Sequence, residues 1–271
     1  MNEVFLFLGL IVLTAAFLSY DHPVLRRLGL CGVGLTTFAA GYLPTGNFLV
    51  GLSCVSVWLL LPWVEILLRI RKLRLPLRKT LQQSAPPGRD AFPELGDLSD
   101  SIESCGFEHV ADLGWEMEGY RQFFRLFAHP QRREEAAITY VEQHQLGFHF
   151  ASVTSRGTDG AVLTTWNCPV SSSLKTPPAV QLNRVAGDEP FGSMLVAHEG
   201  FLRRVERPVE SLCPVDPERV RAAVESDMET QMQHNMREGL LQPAEEGHGR
   251  YSWRGMLYLW FQFLRDIFRL S

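Results

Sequence analysis

Apolar and polar positions divide this chain into two materials. Residues 4–20, 28–42 and 48–64 contain no Asp, Glu, Lys or Arg, whereas charged side chains run through most of the remaining sequence. A bilayer's hydrocarbon core is about 30 Å thick and takes about 20 helical residues to cross. The uncharged stretches are slightly shorter, but their flanks extend them. Tyr20, Tyr42 and Trp63 stand near their ends, where amphipathic rings settle at headgroup level. The chain opens Met1-Asn2-Glu3-Val4, without the basic start of a cleaved secretory signal. An α-helical membrane anchor of three transmembrane helices within residues 1–69 is therefore expected.

Past residue 89 the pattern is that of a folded domain. Residues 98–105 read as a helix stopped by Gly106, and residues 122–128 and 136–142 have the aromatic and β-branched composition of strands. Residues 148–154 and 161–167 repeat that composition around Arg156-Gly157-Thr158-Asp159-Gly160, which predicts a hairpin because Asp-Gly supplies the positive φ of a tight return. Thr176-Pro177-Pro178 breaks the chain before a strand at 180–185. Helices are predicted at 190–205 and from Asp216-Pro217 to near Gly239. This order predicts an α+β domain, an antiparallel sheet with packed helices on one side. Residues 253–270 are aromatic and aliphatic but are broken by Arg254, Arg265, Asp266 and Arg269, the composition of an amphiphilic interfacial helix. Docking of that helix on protein is the rival reading. The expected organisation is an anchor at 1–69 and a basic juxtamembrane segment with a Pro/Gly linker at 70–89. An acidic domain at 90–250 and a C-terminal interfacial helix at 251–271 complete it.

Charge adds an orientation. Arg26 and Arg27 lie between the first two stretches, and Arg69, Arg71, Lys72, Arg74, Arg78 and Lys79 come after the third. The positive-inside rule places both basic segments in the cytoplasm, with the N-terminus outside and residues 70–271 inside. The cluster then faces anionic lipid, at about 1 kcal/mol per residue close to the surface. Net charge is −4 overall, but residues 90–250 carry 26 acidic against 14 basic side chains. So acidic a domain lacks the basic face that nucleic acid needs, and no nucleic-acid partner is expected. Within the second stretch, Gly32, Thr36 and Ala40 form a row of small residues that lets helices approach closely, within one chain or between copies of a homo-oligomer.

The chemistry on offer is sparse. His198 falls on the apolar face of its predicted helix with Phe191, Met194, Leu202 and Val205. It is the catalytic candidate, as a base or ligand, set against the reading of a satisfied core histidine. Leu202 stands where a zinc-protease motif needs its second histidine. His144 and His149 have no cysteine pair to complete a tetrahedral site, so no metal is expected. Ser152, Thr154, Ser155 and Asp159 cluster at the hairpin without a Gly-x-Ser-x-Gly elbow, and no phosphate-binding glycine loop or other cofactor motif is present. Met228, Met232 and Met236 line one stripe of the long helix, as core or as a deformable groove. The leading expectation is a membrane-anchored domain that binds a ligand or a protein partner. The alternatives are a membrane-associated hydrolase pairing His198 with a hairpin Ser or Thr, and a structural subunit of a membrane assembly.

The run from Asp159 through Asn167, taken with Pro177-Pro178, His198 and Tyr251-Ser252-Trp253-Arg254-Gly255, resembles a group of uncharacterised bacterial inner-membrane proteins with an N-terminal anchor and a cytoplasmic domain. The resemblance covers most of the chain past residue 69. It implies a bacterial inner-membrane location and no activity.

Overall fold

The computed structural model describes every residue except Met1, Asp21, Glu118, His144, Gln145, Asp188, Glu246 and Ser271. His144, a candidate ligand by sequence, thus lies outside the described residues. The chain forms two compact units: Met1–Arg74 with Gly239–Pro243 and Arg250–Ser271, and Leu75–Glu238 with Ala244–Gly249.

The first unit contains α1 (Asn2–Leu18), α2 (Pro23–Thr45) and α3 (Phe48–Leu68), with α7 (Trp253–Leu270) from the far end of the chain. Three spans are predicted from sequence. Among the described residues, one helix, Val24–Thr45, is long and apolar enough to cross a membrane, while Val4–Leu18 and Phe48–Trp58 are shorter apolar helices. At about 1.5 Å per residue, the 17 residues of α1 fall short of a hydrocarbon core, whereas α3 continues past Trp58 to Leu68. Gly32 packs α2 against α1: a Cβ there would lie 2.6 Å from Thr14 Oγ1. Thr14 and Thr36 hydroxyls meet at 3.2 Å across the same contact. Thr37 accepts from Trp58 Nε1 at 3.0 Å and ties α2 to α3. The small-residue row therefore serves packing inside the chain through Gly32 and Thr36, whereas Ala40 is exposed. The C-terminal helix is docked as well as amphiphilic. Trp260 stacks on Trp63 of α3 at 5.9 Å, and Arg71 lies over the Trp253 ring at 5.8 Å.

The second unit is an α+β fold with antiparallel and mixed pairing. Short strands β1 (Leu75–Pro76) and β2 (Gln82–Gln83) precede α4 (Leu95–Ser104). Strands β3 (Glu108–Met117), β4 (Tyr120–Ala128), β5 (Glu135–Gln143), β6 (Leu146–Arg156), β7 (Val162–Trp166) and β8 (Val180–Arg184) come next, then α5 (Phe191–Arg204) and α6 (Val220–Arg237). Seven strands make one sheet in the order β2-β3-β4-β5-β6-β7-β8, antiparallel except for the parallel pair β7–β8. Strand β9 (Leu241–Pro243) lies in the first unit, and β10 (His248–Tyr251) pairs its Gly249 with Leu75. Within residues 70–89, Leu81 is fully buried in this unit's core, and Ser84 donates its amide to Asp112 O at 3.1 Å.

Helices cover both faces of the sheet, not one. Phe123, Phe127, Ile138 and Val153 pack with Leu95 and Ile102 of α4 and Phe191, Met194 and Leu195 of α5. Phe124 and Leu126, turned the other way by strand alternation, pack with Leu113, Leu81 and Val220, Val224 and Met228 of α6. Each fully buried Phe or Leu contributes about 1.5–3 kcal/mol by leaving water. Strand β3 is not predicted from the sequence; its pattern is interrupted by an irregularity in pairing between His109 and Ala111.

Candidate functional site

His198 lies on α5 above β6 and β7, fully buried between two hydroxyls on the same sheet face. Ser155 Oγ is 3.1 Å from Nε2 and Thr165 Oγ1 is 2.9 Å from Nδ1. Asn183 donates to Thr165 Oγ1 at 3.2 Å, and Arg204 donates to Asn183 Oδ1 at 3.0 Å. The alternation of β6 forces Ser155 inward, so the hairpin hydroxyl and the imidazole are within reach, as a hydrolase would require. Burial pushes the His198 imidazole down to about 4, with Arg132 adding to that and Glu199 opposing it. The ring is neutral at pH 7, one nitrogen donating and the other accepting. All three members are sealed from solvent, so the arrangement satisfies buried polar atoms and ties a helix to two strands.

Accessible chemistry lies on the opposite face. Beside α6 the sheet is left uncovered, forming a groove of about 370 Å³. Its floor carries Tyr120, Phe148, Phe150 and Trp166, with Phe150 edge-on to Trp166 at 5.7 Å and Phe148 stacked on Phe150 at 6.3 Å. One wall is α6, through Val224, Asp227, Met228 and Gln231; the other includes the segment 170–177 and the edge strand β8. That segment is strapped to α6. Asn235, fully buried, accepts from the Lys175 amide at 2.9 Å and donates to its carbonyl at 2.8 Å, and Lys175 Nζ meets Glu238 at 2.9 Å. Burial, with Cys168 adding to it, pushes the Tyr120 phenol up to about 12 and keeps it protonated.

An ionic triad holds α6 at the end of this groove. Arg156 of β6 grips Asp227 of α6 through two bonds of 3.0 and 2.7 Å and Glu135 of β5 at 2.8 Å. Burial raises the Glu135 carboxyl, while Arg156 opposes that shift.

The basic cluster is divided. Arg69, Arg71, Lys72 and Arg74 belong to the first unit, Arg78 and Lys79 to the second. Arg78 pairs with Glu229 at 2.9 Å. The Lys79 ammonium sits 4.3 Å over the Trp115 ring, and burial lowers it to about 8. His149 stacks on Phe92 at 4.5 Å and meets Glu94 at 3.3 Å. Among the described residues no group of three His, Cys, Asp or Glu side chains is placed to hold a metal ion. The methionine stripe splits: Met228 packs on the sheet and lines the groove, and Met232 is buried. Sequence reasoning missed the groove, whose floor comes from several strands. Its one local signal is the alternation of Phe148, Phe150 and Ser152, which sets two rings on the same face.

No protein-family model matches this sequence, and no curated protein or solved structure matches it significantly.

Proposed function

We propose that this chain is a multi-pass protein of the bacterial inner membrane whose cytoplasmic α+β unit binds a ligand or partner in the groove beside α6. The groove carries the reading: a half-open, ring-floored cavity fixed by the Asn235 strap and the Arg156 triad. Concave, mostly apolar pockets of about 300–1,000 Å³ with a few polar groups are where small molecules bind. Anchorage by α1–α3 is supported by their bare apolar surface, including Phe5, Leu6, Val12, Leu49 and Leu60. Such a continuous surface suits lipid rather than water. On α7, Trp253, Leu257 and Phe261 are exposed beside Arg254 and Arg265, the two-sided surface of a helix that also touches the membrane boundary. The N-terminus would lie outside and residues 70–271 in the cytoplasm.

Native mass spectrometry of the full-length chain released from detergent tests the binding reading. A small molecule or protein retained by the wild type is expected to be lost in Leu182→Arg, which places a charge at the groove's exposed edge. Retention unchanged by that substitution would place binding elsewhere.

A second reading, hydrolysis by Ser155 with His198, has one observation in its favour, their 3.1 Å approach. It requires the sealed pair to open. Labelling of Ser155 in the folded chain by a fluorophosphonate would establish that opening.

A further inference from the structure

The lining of the groove restricts what it takes. Asp227 is the one acidic or basic side chain among the described lining residues, and both its carboxylate oxygens are occupied by Arg156. Glu135 occupies the same guanidinium from the other side. An anion entering here finds no cation among the described lining residues and a triad whose residual charge is negative. A cation would have to displace Arg156 from Asp227. Burying an ion without a partner costs several kcal/mol, whereas a hydroxyl or amide that finds a hydrogen bond is nearly neutral. Aromatic rings can hold a cation when they surround it. Here Phe148 and Phe150 stack along β6 and Trp166 of β7 stands edge-on to Phe150, an open corner of rings rather than a closed box. Polar contacts come from neutral groups: Gln122, Thr164 and Gln231 line the same cavity.

Resting on the ligand-binding reading, we infer that the groove binds an uncharged small molecule. It packs a ring-bearing or aliphatic body into the corner between Phe150 and Trp166 and turns hydroxyl, carbonyl or amide groups toward Gln122, Thr164 and Gln231. The volume of about 370 Å³ sets it at the small end of drug-sized ligands.

The test uses the full-length chain in nanodiscs and three photoreactive probes that share one aromatic core. One probe ends in a neutral amide, one in a carboxylate and one in a trimethylammonium group; crosslinked residues are mapped by peptide mass spectrometry. The neutral probe is expected to label groove residues on β6, β7 or α6 several-fold more than either charged probe, and Leu182→Arg should reduce that labelling several-fold. Equal or stronger groove labelling by a charged probe overturns the uncharged ligand class while leaving a ligand site in place. Labelling confined to other surfaces by all three probes overturns both the ligand class and the ligand-binding reading.

Discussion

Replacing His198 with glutamine should change how stability depends on pH, not only its level. In the unfolded chain a histidine titrates near 6.5; in the fold, burial holds His198 at about 4. Above pH 6.5 the ring is neutral in both states, and its contribution to stability is complete. Between pH 6.5 and 4 the unfolded state binds a proton that the folded state refuses, so stability falls as pH falls. Below about 4 both states are protonated and the loss levels off. The interval between 6.5 and about 4, at about 1.4 kcal/mol per pH unit, corresponds to about 3 kcal/mol. Glutamine keeps an amide near the hydroxyls but does not titrate.

At pH 7.5 the variant should be less stable by about 1–3 kcal/mol, since Ser155 or Thr165 loses a buried partner. By pH 4 the gap should close by about 3 kcal/mol, or roughly 6–12 °C in Tm for a unit of this size. Thermal unfolding of full-length wild type and variant in the same detergent, followed by near-ultraviolet circular dichroism, measures it. Every other titrating group cancels in the difference between the two curves. Parallel Tm curves from pH 7.5 to 4 would show that the ring is not held neutral by burial, and the sealed-network account would fail.

Gly32→Leu should lower the thermal stability of the helical unit by about 1–3 kcal/mol through its collision with Thr14, while light scattering records an unchanged oligomer size. A smaller oligomer with unchanged Tm would return the small-residue row to an interface between copies. Arg156→Met should cost about 3–5 kcal/mol because Glu135 is left buried and unpaired, and adding Glu135→Gln should recover part of it; chemical denaturation of the two variants decides. Asn235→Ala removes both bonds to the Lys175 backbone, so amide hydrogen exchange across residues 168–177 should accelerate while β5 stays protected. A fluorophosphonate should leave Ser155 unlabelled in the folded wild type, read by peptide mass spectrometry.

Legibility tracks the range of the interactions. The β6–β7 hairpin is readable because its turn is local: Gly160 adopts φ +83° at the Asp-Gly pair. The start of the long helix is equally local, since Asp216 accepts from the Glu218 amide with Pro217 behind it. The two-sided cover of the sheet is encoded but easily misread. Phe123-Phe124 and Leu126-Phe127 put apolar side chains on both faces of β4, and a strand that does not alternate is one with both faces buried. His198's partners stand 43 and 33 residues away, so no spacing rule could bring them together. The groove is a remainder, the part of a sheet face that α6 does not reach, and it has no motif.

The helical unit is discontinuous in the chain: its last helix is encoded after the whole of Leu75–Glu238. At about 5–20 residues per second, roughly ten to forty seconds of synthesis separate α3 from α7. For that interval the Trp63 surface that Trp260 will cover has no mate, and the newly made chain carries an unfinished apolar seam beside a completed run of helices. A ribosome stalled near residue 250 would display that seam until α7 is made.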